Sequence, residues 1–228
     1  MTSRLAVAVA RRAPGSAPAY LPILLLVATG LACVTGRTQD EVTQPRIDGW
    51  ESRVALGVVR WPELGNLRDT SGAGFDATGF SIEAGFHKQR TTGGAQNVLL
   101  GIDFGMFTTD SDIPGVIEDL TQRGLYLTPS LRYRFGDRRK AYFDLTAGAG
   151  LYGVDFAELI CNPGCLELDD PFEEYTFGGY LGASAGMGRW FVADFRTHFA
   201  DFGPVTGIPS LSGELSGPVY TLSLGATF

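Results

Sequence analysis

Two cysteines close a short motif, Cys161-Asn-Pro-Gly-Cys165. Pro163 and Gly164 suit the two central positions of a type II turn, which brings the flanking thiols together. In an oxidising compartment that spacing predicts a disulfide, contributing about 2 kcal/mol for so short a loop. A metal site would need two more ligands, and none is evident, so no metal is assigned. The nearby acids Asp169, Asp170, Glu173 and Glu174 lack the spacing of a calcium loop and read as a solvated acidic stretch. His87 and His198 are the only histidines. His198 stands in Arg196-Thr-His-Phe-Ala200 without a serine two positions on, so it reads as a lining or rim residue. No nucleotide loop, zinc motif or nucleophile elbow occurs. No catalytic or cofactor-binding residue is assigned, and no cofactor.

The remaining chemistry is carried by charges of both signs: Glu83, Asp103, Asp144 and Asp194 with Arg132, Arg134 and Arg196. Each falls on the polar side of a stretch with a two-residue period, the spacing that sends alternate side chains to opposite faces of a strand. Phe80, Ile82, Ala84 and Phe86 oppose Ser81, Glu83 and Gly85. Leu100, Ile102, Phe104 and Met106 oppose Gly101, Asp103 and Gly105. Leu127, Pro129, Leu131, Tyr133 and Phe135 oppose Thr128, Ser130, Arg132 and Arg134. Further stretches follow at 143–152, 176–187, 191–199 and 220–228. A weaker one runs from Arg53 to Trp61, with Val54, Leu56 and Val58 as its apolar face. Eight such stretches, each near the 9–11 residues of a tilted membrane strand, predict an all-β fold. It is an eight-stranded antiparallel transmembrane β-barrel, an up-and-down meander, spanning 50–228.

Alternation alone also describes a soluble sheet. The polar face separates the two, because here it is rich in glycine and small hydroxyl residues and its few charges are of both signs. Such a face suits a narrow interior where ions must pair, since an unpaired buried charge costs several kcal/mol. An Arg134–Asp144 pair is expected across the turn at 136–140. Eight strands leave room for side chains only, so the seven charges predict a structural network rather than a wide pore. Composition agrees. Glycine is 31 of 228 residues, roughly twice the ordinary usage of about 7%. Charged residues make up 19% and the net charge is −7, which argues against a nucleic-acid partner.

The first 36 residues carry Arg4, Arg11 and Arg12 and no acid, then an apolar run from Tyr20 to Val34. That run is short of the roughly 20 residues of a transmembrane helix and predicts a signal peptide, cleaved between 30 and 36. Lipidation of Cys33 is the lesser reading, because Gly30 stands where a lipobox prefers Leu. Cleavage leaves a mature charge of −10. Residues 37–49 read as a short periplasmic leader. The connections alternate in length: those at 62–77, 108–123, 155–174 and 200–217 are long, and together they carry 16 acids and two bases. The turns at 87–96, 136–140 and 188–189 are short and basic. Long acidic outer loops and short inner turns are the asymmetry of an outer-membrane barrel.

The terminal stretch Tyr220-Thr-Leu-Ser-Leu-Gly-Ala-Thr-Phe228 and the hairpin from Ser130 to Asp144 resemble the small outer-membrane β-barrel proteins of the OmpA/OmpX type, the outer membrane protein β-barrel domain group. The resemblance covers 50–228. It implies that Tyr220, Leu222, Leu224 and Phe228 form the signal read by the barrel-assembly machinery, although Ser223 stands where glycine is common. It also implies a location in the outer membrane of a diderm bacterium, in contact with outer-membrane lipid and lipopolysaccharide. The expected protein is a monomeric, non-enzymatic barrel with a structural or surface-interaction role. A lipid A-modifying or other lipid-active barrel enzyme, and a soluble secreted barrel binding an apolar ligand, are the alternatives.

Overall fold

The computed structural model describes residues 49–69, 72, 74, 76–89, 97–113, 117–138, 140–161, 173–188, 190–205 and 211–228; side chains at 63, 69, 112–120 and 157–161 are not described. The chain divides into two units, Met1–Pro45 and Arg46–Phe228, and everything described lies in the second. The expected signal peptide (1–36), its cleavage region and Cys33, most of the leader at 37–49, and Cys165 lie outside the described residues, as does the side chain of Cys161.

Among the described residues, ten strands run in chain order: β1 Trp50–Trp61, β2 Arg68–Asp69, β3 Ala77–Gln89, β4 Val98–Ile113, β5 Ile117–Gly136, β6 Ala141–Cys161, β7 Glu173–Met187, β8 Phe191–Phe199, β9 Leu211–Ser212 and β10 Pro218–Thr227. A 3-10 turn at Pro62–Leu64 follows β1. Eight of the strands close a barrel in the order β1-β10-β8-β7-β6-β5-β4-β3, every neighbour antiparallel. Skipping the two short strands, this is an up-and-down meander closed by β1 on β10, where Leu56 opposes Leu224. Closure leaves no free sheet edge around the wall. β2 and β9 pair only with each other, outside the wall.

Strand lengths correct the sequence reading. β4, β5 and β6 run for 16, 20 and 21 residues, roughly one and a half to two times what a tilted strand needs to cross a bilayer. The segment 108–123, expected as an outer loop, is therefore a continuation of the β4–β5 hairpin, and only residues 114–116 separate the two strands. Likewise 155–161 and 173–174, inside another expected loop, are strand. The physical reason is that Thr109, Ser111 and Gln122 keep the two-residue alternation going in polar residues. Thr109 donates to Gln122 at 2.6 Å and Gln122 to Ser111 at 3.3 Å, all buried. β1 also starts earlier than expected, at Trp50.

Pro129 interrupts the wall. It has no N–H to donate, and the β5–β6 ladder skips from Leu127↔Leu151 to Ser130↔Gly148 without a change of register. Both chain ends of the barrel lie at one end, where Ser52 and Phe228 exchange backbone hydrogen bonds. The turns after β3, β5 and β7 are at that same end. The connections carrying β2 and β9 are at the other.

Candidate functional site: an ion-paired interior beneath an apolar cap

Alternation on β1 sends Glu51, Arg53, Ala55 and Val59 inward and Trp50, Leu56 and Val58 outward. The same division holds around the barrel. Outside lie Leu56 (62% exposed), Leu151, Phe177, Leu181 and Leu222, all more than half exposed. Near the chain-end rim, Trp50, Tyr133, Phe135, Phe143 and Trp190 form an aromatic band, and the Lys88 ammonium sits 5.5 Å from the Trp50 ring centre.

Inside, the lower half is ionic. Arg134 donates to both oxygens of Asp144 at 2.8 Å and to Glu51 at 2.7 and 3.0 Å. Arg132 donates to Glu51 at 3.0 Å and stands 3.8 Å from Asp103. Arg196 reaches Asp194 at 2.9 Å, Glu83 at 3.2 Å and Asp103 at 3.5 Å. Arg53 donates to Asp194 at 3.1 Å. Arg138, at the rim, is 3.4 Å from Glu51. The structure thus places Glu83, Asp103, Arg132, Arg134, Asp144, Asp194 and Arg196 in one cluster, every one of them buried. Glu51 and Arg53 complete it. Four buried guanidinium groups, with Arg138 at the rim as a fifth, face five carboxylates, the balance that makes burial of charge tolerable.

Above the ions comes a layer of rings. Tyr126 and Tyr152 stack at 5.7 Å, and His198 lies 4.8 Å from Tyr126 and 5.4 Å from Tyr180. Their hydroxyls tie this layer to its neighbours. Arg196 donates to the Tyr126 oxygen at 3.1 Å, Tyr180 donates to Asp103, and Tyr152 shares a proton with His198 Nδ1 at 3.1 Å. Glycines admit the rings. A Cβ at Gly105 would stand 2.6 Å from Tyr126, and one at Gly178 2.8 Å from Tyr152.

The far end is closed by an apolar cap. Trp61, Leu64, Leu67 and Leu215 are fully buried and cluster with Phe107, Phe156, Phe202, Val205 and Leu211. Trp61 packs edge-on against Phe107 at 6.1 Å, and its indole N–H donates to the Ser216 carbonyl at 3.1 Å. The β2–β9 pair and backbone bonds from Asn66 to Glu214 (3.1 Å), Phe202 to Leu215 (2.9 Å) and Leu215 to Gly203 (2.8 Å) hold the two connections together. At Gly65, with φ +69°, any side chain would strike the Ser216 backbone, so the connections meet there at backbone distance.

Sequence reasoning missed three things. It began the first strand at Arg53, which left out Glu51 and gave Arg53 no inward role, although the alternation Glu51, Arg53, Ala55 was present. It put His87 at the start of the 87–96 turn, whereas His87 is on β3, with Nε2 2.9 Å from Ser130 Oγ and 3.4 Å from Asp103. It treated 62–77 and 200–217 as polar loops, although Leu64, Leu67, Phe202 and Leu215 were legible as apolar residues there. The His87–Ser130 pair has the residue types of a hydrolytic dyad. However, its carboxylate approaches the same ring nitrogen as the serine rather than the opposite one, and His87 is fully buried.

An all-β wall that is apolar outside and ion-paired inside inverts a soluble barrel, and it defines a transmembrane β-barrel with a filled lumen. No protein-family model matches the sequence, and no curated protein matches it. Among solved structures, the chain is similar to Neisserial surface protein A at 13% identity and TM-score 0.44, over 78% of this chain and 96% of that one. It is similar to the outer membrane protein OprG from Pseudomonas aeruginosa at 11% identity and TM-score 0.47, over 79% and 97%. A third similar structure is Ail, the attachment invasion locus protein of Yersinia pestis, at 13% identity and TM-score 0.42, over 78% and 99%. The fold assignment rests on the closed ladder itself.

Proposed function

We propose that the chain is an integral outer-membrane protein of a diderm bacterium, with no catalytic centre, that serves the envelope as a structural or surface-interaction barrel. The observation that carries the reading is the inverted barrel. Its lipid-facing belt cannot be left in water, and its lumen is occupied by paired side chains and closed by a cap. What remains for interaction is the outer end, where β4–β7 extend past the belt with Asp110, Asp155, Glu173 and Glu174 among their acids. In this reading residues 1–36 are an export signal and Cys161–Cys165 close a disulfide in the acidic connection. Tyr220, Leu222, Leu224 and Phe228 on β10 serve as the assembly signal, and the protein works as a monomer amid lipid and lipopolysaccharide. Heat-dependent gel mobility with detergent extraction tests it. The folded protein is expected to need detergent or lipid and to migrate faster unheated than boiled. A chain that folds and stays soluble without detergent overturns the reading.

A lipid-active enzyme is the second reading, favoured only by the His87–Ser130 hydrogen bond. Lipid A mass unchanged between cells with the wild-type chain and cells with Ser130→Ala argues for the first reading.

A further inference from the structure

The outward face of β1 changes character at one residue. Val54, Leu56 and Val58 face lipid, and Arg60 follows in the same row of outward positions, 62% exposed at its side chain. Its ladder neighbours are Tyr220 on β10 and Thr78 on β3, and beyond these come Thr197 on β8 and Asp110 on β4. The row Thr197, Tyr220, Arg60, Thr78, Asp110 is therefore a polar tier above the apolar residues of β1, β3 and β10, while on β8 the outward apolar row continues to Phe199. The polar tier lies at the end of the barrel opposite the chain ends. The tier immediately below is apolar, with Phe195, Leu222, Val58 and Phe80. An open groove of about 450 Å³ runs across both tiers, with Val58, Phe195, Tyr220 and Leu222 in it and Arg60 and Thr78 at its head. Phe195 and Tyr220 stack at 6.3 Å along one side.

A cation at the head of an apolar groove has the chemistry of an amphiphile with an anionic head. The guanidinium donates to Asp76 at 2.6 Å. It carries five donors, so one carboxylate does not exhaust it, and its planar fork matches phosphate. Tyr220 and Thr78 are its ladder neighbours on either side, and both residue types can donate to phosphate oxygens. The level is that of headgroups on β1, β3 and β10, whose apolar outward residues end there, and the groove below takes chain methylenes.

We propose that this groove is a site for lipid A, the phosphorylated glycolipid of the outer leaflet: a lipid A phosphate on Arg60, an acyl chain along Val58, Leu222 and Phe195. The proposal rests on the outer-membrane reading and on the orientation that puts the chain ends in the periplasm. Asp76 competes with the phosphate for the guanidinium, so the two members of that pair act in opposite directions.

Folded full-chain protein in detergent micelles is titrated with bisphosphorylated lipid A, and retained lipid is counted by native mass spectrometry. Arg60→Ala is expected to lower retention about tenfold, the value of a lost charge-assisted contact. Val58→Trp, which fills the groove, lowers it too, while Asp76→Asn raises it. Unheated gel mobility is unchanged in all three, which keeps a failure of this site distinct from a failure of the barrel reading. Equal retention by wild type and Arg60→Ala overturns the site. Phosphatidylglycerol displacing lipid A at equal concentration overturns the choice of lipid A over a phospholipid.

Discussion

Arg196 is the residue on which the interior turns. It faces Asp194, Glu83 and Asp103 at once and donates to the Tyr126 hydroxyl, with its guanidinium 4.8 Å from the Tyr180 ring centre. Removing one partner of a buried ion pair leaves an uncompensated charge and costs about 3–5 kcal/mol. Arg196→Met preserves much of the volume, strands Glu83 and leaves Asp194 and Asp103 with only Arg53 and Arg132, so a loss of that size is expected in the unfolding free energy of the protein folded in detergent. Arg60→Ala, whose pair with Asp76 is exposed, should move the same free energy by no more than about 0.5 kcal/mol. An unfolding free energy unchanged in Arg196→Met would mean that the network is not stabilising in the sense argued. The wide gap between these two arginines comes from solvent. Water screens one pair and is excluded from the other.

Among the elements, the strands and the cap are held by different forces and should fail separately. The wall is a closed hydrogen-bonded barrel with no edge, whereas the cap is two connections joined by a two-residue pair and one buried tryptophan. Trp61→Ala deletes the ring that touches both Phe107 and Phe202, a truncation worth about 3–5 kcal/mol to the cluster around it. Limited proteolysis is expected to cut within 62–76 or 200–217 in this variant while unheated gel mobility stays that of the wild type. Loss of the mobility shift together with the new cleavage would show instead that cap and wall form one cooperative unit. The long β4–β5–β6 strands follow the same logic from the other side. They extend because alternating polar side chains such as Thr109 and Gln122 continue to pair inside the sheet above the ion layer.

On the scale of the whole molecule, three layers close the lumen in series: ions, rings and an apolar cap. A small solute would have to break buried ion pairs and then cross a dry cluster. Reconstituted in a planar bilayer, the protein is expected to show no resolved conductance steps. Trp61→Ala should add none, because the ionic layer beneath is intact. Well-defined steps in the wild type would overturn the filled-lumen account.

The periodicity of two, the small polar inner face and the paired charge signs were sufficient to read an eight-stranded barrel from the amino-acid sequence. Those features are local, since a strand's face is decided by residue parity alone. Parity cannot say which charge meets which across the lumen. Glu51 is 81 residues from Arg132 in the chain and 3.0 Å from it in space, a distance decided by closure and shear. Nor can it show where strands stop once their outward side becomes polar, which is why β4, β5 and β6 are longer than their apolar stretches. The cap is the clearest case of a tertiary decision. Leu64, Leu67, Phe202 and Leu215 sit in segments without periodicity, and only the meeting of two distant connections over the barrel mouth gives them a place away from water.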